Sequence, residues 1–108
     1  MIIKRYEIYL ANLDPTIGEE IRKTRPVVIV SDDMMNKFLG TIVVCPLTTT
    51  LHGTWRSRIQ ILCAGKQAEI AVDQIRTISK TRLINKIDKL SSSDSALLRH
   101  LITQMYGE

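Results

Sequence analysis

Three groups of polar residues in this 108-residue chain have the types and spacing that chemistry on an anion requires. The first is Glu20, Arg22, Lys23 and Arg25, and it ends in the pair Arg25-Pro26, which runs straight into Val27-Val28-Ile29-Val30. Proline fixes its own φ and pushes the residue before it toward extended geometry, so Arg25 belongs to a stiff strand mouth. A guanidinium mounted that way grips two oxygens of a phosphate at once; the plainer reading is a solvated arginine at a strand end. The second group is Thr48, Thr49, Thr50 and His52, with Trp55, Arg56 and Arg58 just after. A ring among basic groups suits single-stranded RNA, or Trp55 packs on the protein's own surface or at a dimer contact. His52 suits proton transfer near neutrality, or is a bystander in its loop. The third group is Asp73, Gln74, Arg76 and Thr77, inside an otherwise apolar strand. Arg76 either meets RNA or pairs with a carboxylate and braces the sheet.

The elements that must position these groups are mostly strands. Residues 7–13 alternate as a first strand, and Asn12-Leu13-Asp14-Pro15 supplies turn chemistry. A loop follows from Pro15 to Thr24, of the length that is often functional or mobile. The second strand, 26–31, and the third, 41–47, are apolar on both faces, and Pro46 marks an edge or bulge at the third strand's end. Asp32-Asp33 caps a short helical turn through Met34, Met35 and Phe38. Strand four is 57–62 and strand five is 69–78. A short helical connector spans 80–85, and a last strand 87–90. Ser91-Ser92-Ser93-Asp94 opens a helix over about 93–106, ended by Gly107. Its stripe of Leu97, Leu98, Leu101, Ile102 and Met105 is core packing or a dimer face. If strands two and three are antiparallel neighbours, Arg25 begins one strand where Thr48 ends the other, and the two meet at one rim.

Length allows one domain, residues 1–108. Hydrophobic residues make up 44% and charged residues 24%, ordinary for a globular protein, while aromatics at 5% leave the core to Ile, Val and Leu. Short strands with turn signals predict a small, curled antiparallel barrel or sandwich with one C-terminal helix. No apolar run approaches membrane-spanning length. The start, Met1-Ile2-Ile3-Lys4-Arg5, lacks a signal-peptide pattern, so a cytoplasmic location is expected. Cys45 and Cys63 lie in apolar runs without metal-ligand spacing and read as buried thiols. No metal site or cofactor is expected; there is no G-x-G-x-x-G and no P-loop. The formal net charge is +4, and residues 41–90 alone hold eight basic against three acidic side chains. That basic middle suits nucleic acid or an acidic protein segment.

Taken together, these motifs resemble the MazF/PemK family of bacterial toxins. The matching residues are Glu7-Ile8-Tyr9 with Leu13-Asp14-Pro15, Gly18-Glu19-Glu20, Arg25-Pro26-Val27-Val28, Pro46-Leu47-Thr48, Asp73-Gln74-Ile75-Arg76-Thr77, Lys80 and Arg82-Leu83. The resemblance implies a small SH3-like antiparallel β-barrel of the MazF/CcdB/Kid kind with a C-terminal helix, assembled as a homodimer. It implies a sequence-specific, metal-independent endoribonuclease of a toxin–antitoxin system. Attack by the 2′-OH of single-stranded RNA on the adjacent phosphorus would leave a 2′,3′-cyclic phosphate and a 5′-OH. By the same resemblance Arg25 and Thr48 stand at catalytic positions, with Glu20 the candidate base. Arg22, Lys23, Thr49, His52, Trp55, Arg56, Arg58, Gln74 and Arg76 are the expected RNA contacts. The implied partner is a cognate antitoxin whose acidic C-terminal segment lies over the basic groove. Tyr6 departs from the family, which commonly has glycine before the Glu/Asp-Ile-Tyr segment; if that position needs positive φ, tyrosine is a poor fit. Two readings stand beside this one: a toxin of similar fold that traps DNA gyrase without chemistry, and a plain RNA-binding barrel.

Overall fold

The computed structural model describes residues 1–107. Its strands are β1 (Glu7–Asn12), β2 (Thr24–Ile29), β3 (Thr41–Thr48), β4 (Arg58–Cys63), β5 (Lys66–Ala71), β6 (Arg76–Ser79) and β7 (Leu83–Lys89). Two helices, α1 (Asp33–Phe38) and α2 (Ser92–Tyr106), complete the fold. The strands pair in the order β4-β5-β3-β2-β1-β7, with β6 also on β3, and every pairing is antiparallel. The result is mainly β with a C-terminal helix, a curled antiparallel half-barrel.

β3 is the long central strand, and it explains the main departure from the expected elements. Its first half pairs with β6, from Thr41↔Ser79 to Val44↔Arg76, and its last residues pair with β5, at Leu47↔Ile70 and Thr48↔Glu69. The stretch expected as one strand over 69–78 must therefore step from one partner position to the other. It does so through a 3₁₀ turn, Val72–Gln74. Pro46 sits inside β3 rather than at its end, in the gap between the two pairings, where its missing N–H breaks no ladder. The connector after β6 is a single 3₁₀ turn, Lys80–Arg82, and β7 begins at Leu83, earlier than expected.

Successive residues of β1 and β2 enter two different cores. Ile8, Val28, Cys45, Leu47 and Ile70 form one with Leu98 of α2, and Tyr9, Val27, Ile29, Ile42 and Val44 form the other. Both faces of β2 are buried, as its unbroken apolar run predicts. Ser91 caps α2 by accepting from Asp94 N–H, and Leu98, Leu101, Ile102 and Met105 face the first core. Leu97 leaves the expected stripe and is 55% exposed. Both cysteines are buried and free, and burial pushes the Cys45 thiol up to about 12, so it behaves as a hydrophobe.

Tyr6 has φ +71, in the left-handed region. The position before β1 therefore does require positive φ, and a tyrosine occupies it. Its N–H donates to the Ile29 carbonyl at 2.7 Å and its carbonyl accepts from Leu90 N–H at 2.9 Å, which holds the conformation against its cost.

Candidate functional site

The register of β2 on β3 sets the site. Val27 pairs with Pro46 and Val28 with Cys45. The paired residues end at Val27↔Pro46; the same register carried two residues further brings Arg25 level with Thr48. On its other side Arg25 pairs with Ala11 of β1. The loop before it is closed at its base: Leu13 N–H donates to the Lys23 carbonyl at 3.0 Å, and Lys23 N–H to Asp14 Oδ1 at 2.9 Å. Lys23 has φ +69, which turns the chain into β2. Arg25 Nε donates to the Arg22 carbonyl at 3.3 Å. Among the described residues Arg25 has no carboxylate within ion-pairing distance; those pairs are made by Lys4, His52, Arg58, Arg76 and Lys86. A half-buried guanidinium without a counter-ion is a ready anion site.

The other residues of the loop are fixed in different ways. Glu20 Oε1 accepts from Ile17 N–H at 3.1 Å, and Oε2 lies 4.0 Å from Arg76 Nη1, within ion-pair range but too long for a hydrogen bond. Arg76 Nη1 is buried without a hydrogen-bond partner among the described residues. Arg76 thus faces a carboxylate without a hydrogen bond from Nη1 to it. Gln74 Oε1 accepts from Ile21 N–H at 2.7 Å, tying the 13–23 loop to the 3₁₀ turn. Arg22 Nη2 donates to the Gly18 carbonyl at 2.7 Å, while Lys23 is exposed.

The loop after β3 is organised by a residue that the sequence pattern did not single out. Glu69 is fully buried at the start of the strand pair with Thr48. It accepts from His52 N–H at 2.6 Å, Arg58 Nη1 at 2.8 Å and Gln60 Nε2 at 2.9 Å. Burial pushes its carboxyl up, but these donors outweigh that and hold it below the ordinary value. Arg58 also donates through Nε to Asp73 Oδ1 at 2.7 Å, and its side chain is only 5% exposed. Desolvation raises the Asp73 carboxyl as well, and Arg58 and Ser57 hold it below its ordinary value. Arg58, an expected RNA contact, shares its guanidinium between two carboxylates under Trp55, 4.7 Å from the indole, and lines the groove between the two loops. His52 stacks on the same indole at 3.9 Å, with Nδ1 3.2 Å from both Glu69 Oε2 and Arg58 Nη1. Trp55 remains 49% exposed, and Arg56 and Thr49 are exposed beside it. The one sequence signal for Glu69 is an acid interrupting an apolar strand run, Ala68-Glu69-Ile70-Ala71.

The two loops face each other across a groove of about 330 Å³. It is lined by Glu19 and Ile21 on one side, by His52, Trp55 and Arg58 on the other, and by Thr48, Asp73 and Gln74 at the base. Thr48 Oγ1 accepts from Thr50 N–H at 3.2 Å, so its own hydroxyl proton is free to donate into the groove.

Arg25, without a carboxylate partner among the described residues, thus lies at the start of β2 near a groove that holds Thr48 and the stacked His52 and Trp55. Residues 4–106 match the family described as PemK-like, MazF-like toxin of type II toxin-antitoxin system. The chain is 34% identical over 95 residues to Endoribonuclease EndoA of Bacillus subtilis (strain 168), covering 83% of this chain and 82% of that one. In fold it is similar to MazF from Deinococcus radiodurans, with a TM-score of 0.87, 17% identity, and coverage of 100% and 99% of the two chains. It is also similar to a mycobacterial endoribonuclease solved with its cognate antitoxin, with a TM-score of 0.82, 19% identity, and coverage of 97% and 95%. The chain belongs to the PemK-like, MazF-like toxin family.

Proposed function

We propose that this chain is an endoribonuclease toxin that cuts single-stranded messenger RNA at short sequence motifs. The observation that supports the reading is the antiparallel β2–β3 register, which carried two residues past Val27↔Pro46 brings Arg25, free of any carboxylate among the described residues, level with Thr48. Attack of the 2′-OH on the adjacent phosphorus breaks the P–O5′ bond and leaves a 2′,3′-cyclic phosphate and a 5′-OH. Arg25 neutralises the charge that builds on the phosphorane oxygens. Thr48 donates a hydrogen bond to a non-bridging oxygen; Glu20, on the loop tied down by Gln74, takes the 2′-OH proton; and Arg25 gives a proton to the leaving 5′-oxygen, with proton exchange through solvent restoring both groups. None of these roles requires a metal. Trp55, pre-stacked on His52, offers its open face to a base, and Arg22, Lys23, Thr49 and Arg56 flank the path. Arg58, Arg76 and Gln74 support the site from below rather than read the RNA.

The working unit is a homodimer in the cytoplasm, neutralised by a cognate antitoxin with an acidic C-terminal segment. Family membership and the exposed cations at the site support that partner. Among the described residues no helix is long and apolar enough to cross a membrane. The test is incubation with a long single-stranded transcript in EDTA. Discrete cuts ending in cyclic phosphate, abolished by Arg25→Ala, support the enzyme. Binding without cutting would make it a plain RNA-binding barrel. Intact RNA at high protein excess, together with a gyrase-dependent growth defect, would make it a gyrase poison.

A further inference from the structure

The cleavage site leaves a second concentration of positive charge unused. A groove of about 730 Å³ lies between the segment leading into β1, the end of β7 and the first turn of α2. Its walls hold Lys4, Arg5, Lys86, Lys89 and Arg99 against one acid, Glu7. That local charge of +4 equals the formal net charge of the whole chain, so the rest of the protein sums to zero. Glu7 is taken by Lys86 at 2.7 Å, and Lys4 lies 3.8 Å from Asp33. Among the described residues Arg5, Lys89 and Arg99 have no carboxylate within ion-pairing distance. The N-cap and first turn of α2 add three serines, Ser91, Ser92 and Ser95, and the positive end of a fifteen-residue helix that Asp94 in the same turn partly offsets. The strained Tyr6 also lines the groove, with its hydroxyl 3.4 Å from Arg99 Nη1. A non-glycine residue held in the left-handed region beside a cluster of unpaired cations is the kind of place where strain accompanies function.

The groove is not part of the cleavage site. Tyr6 binds the Ile29 carbonyl at the far end of β2, four residues along the strand from Arg25, or about 13 Å. We infer that this groove is a second phosphate-binding track, which holds the backbone of the same RNA away from the bond being cut. The inference rests on the endoribonuclease reading. Lysine, arginine, serine hydroxyls and a helix N-terminus are the groups that hold phosphodiesters in position without reading sequence. An acidic protein segment would bury apolar side chains along with its carboxylates, whereas among the described residues the only apolar side chains on these walls besides the lysine and arginine stems are Leu90 and the Tyr6 ring.

The test compares the wild type with a Lys89→Gln/Arg99→Gln double variant, both of whose side chains are exposed. The probes are 2′-O-methyl RNA strands, which cannot be cut, of about five and about twenty nucleotides, in the range of single-strand site sizes. For the long strand, the slope of log K on log salt should become shallower by about 1.4, about 0.7 for each lost phosphate contact. Its affinity at low salt should fall about tenfold. Binding of the short strand, cleavage of a short all-ribose substrate and the melting temperature should not move, and Lys89→Glu alone should deepen the loss for the long strand only. Equal loss at both lengths, or no loss at either, overturns the inference. So does weakened binding of oligoglutamate with RNA binding intact, which assigns the groove to an acidic protein segment. A wild type that neither binds nor cuts RNA defeats the endoribonuclease reading itself, whereas variants indistinguishable from an active wild type defeat only the groove.

Discussion

At the scale of single residues, the account rests on Arg25 being a charge with a shape. Arg25→Ala should lower kcat by about 10²–10³-fold, as loss of one group aimed at developing charge does, with the melting temperature unchanged. Arg25→Lys keeps the charge and loses the planar fork, so it should recover only part of that rate. Single-turnover cleavage of a defined strand checks both; a lysine variant at wild-type rate would contradict the role given to the guanidinium. Tyr6 supplies a test of backbone strain. With φ +71, Tyr6→Val puts a β-branched side chain in the left-handed region and should cost about 2 kcal/mol or more. Tyr6→Phe, which loses one 3.4 Å contact to Arg99, should stay within about 0.5 kcal/mol. Thermal melts separate the two, and equal stability would mean that the position does not hold positive φ.

At the scale of elements, each loop is tied to the sheet by a polar side chain: Gln74 for the first loop and Glu69 for the second. Gln74→Ala removes the acceptor for Ile21 N–H, a loss of about 1 kcal/mol in stability. It frees the 13–23 loop, so catalysis should fall by more than the melting temperature suggests. Glu69→Ala leaves Arg58 buried beside Asp73 alone and should cost about 3–5 kcal/mol. Chemical denaturation measures both. These contacts also mark where the sequence stops being legible. Most of the strands and the caps of both helices follow from local pattern, because apolar runs, proline and serine act on their neighbours. The step at Val72–Gln74 does not, because it comes from β3 changing partners, which no local pattern records. Arg58 has the sequence context of an RNA contact, and only the pairing of β4 with β5 brings it onto Glu69. Tyr6 showed as an odd residue at a glycine position, and its backbone confirms that the position is special.

At the scale of the whole molecule, charge is sorted rather than spread. Part of the basic middle of the sequence is engaged internally: Arg58 goes to Glu69 and Asp73, Arg76 lies near Glu20, Lys86 pairs with Glu7, and Arg82 donates to the carbonyls of Asn12 and Asp14. Among the described residues, cations without a carboxylate partner include Arg25 at the mouth of β2 and Arg5, Lys89 and Arg99 near the start of α2. The carboxylates that pair with Arg58 also set the response to acid. Glu69 and Asp73 have carboxyls below their ordinary values in the folded chain, so their contribution is present above the unfolded values and is lost as pH falls through the folded ones. The melting temperature should be flat from neutral pH down to about 5 and fall steeply below about 4. Glu69→Gln should lower it at pH 7 and flatten the acid limb. The most direct test of the central claim is the chemistry of the cut ends. The purified protein is incubated with a defined single-stranded transcript in EDTA, and both new termini are mapped. The account predicts 2′,3′-cyclic phosphate and 5′-OH at a small set of sites, with no cutting by Arg25→Ala. Termini bearing a 5′-phosphate, or cutting that survives in Arg25→Ala, would contradict it.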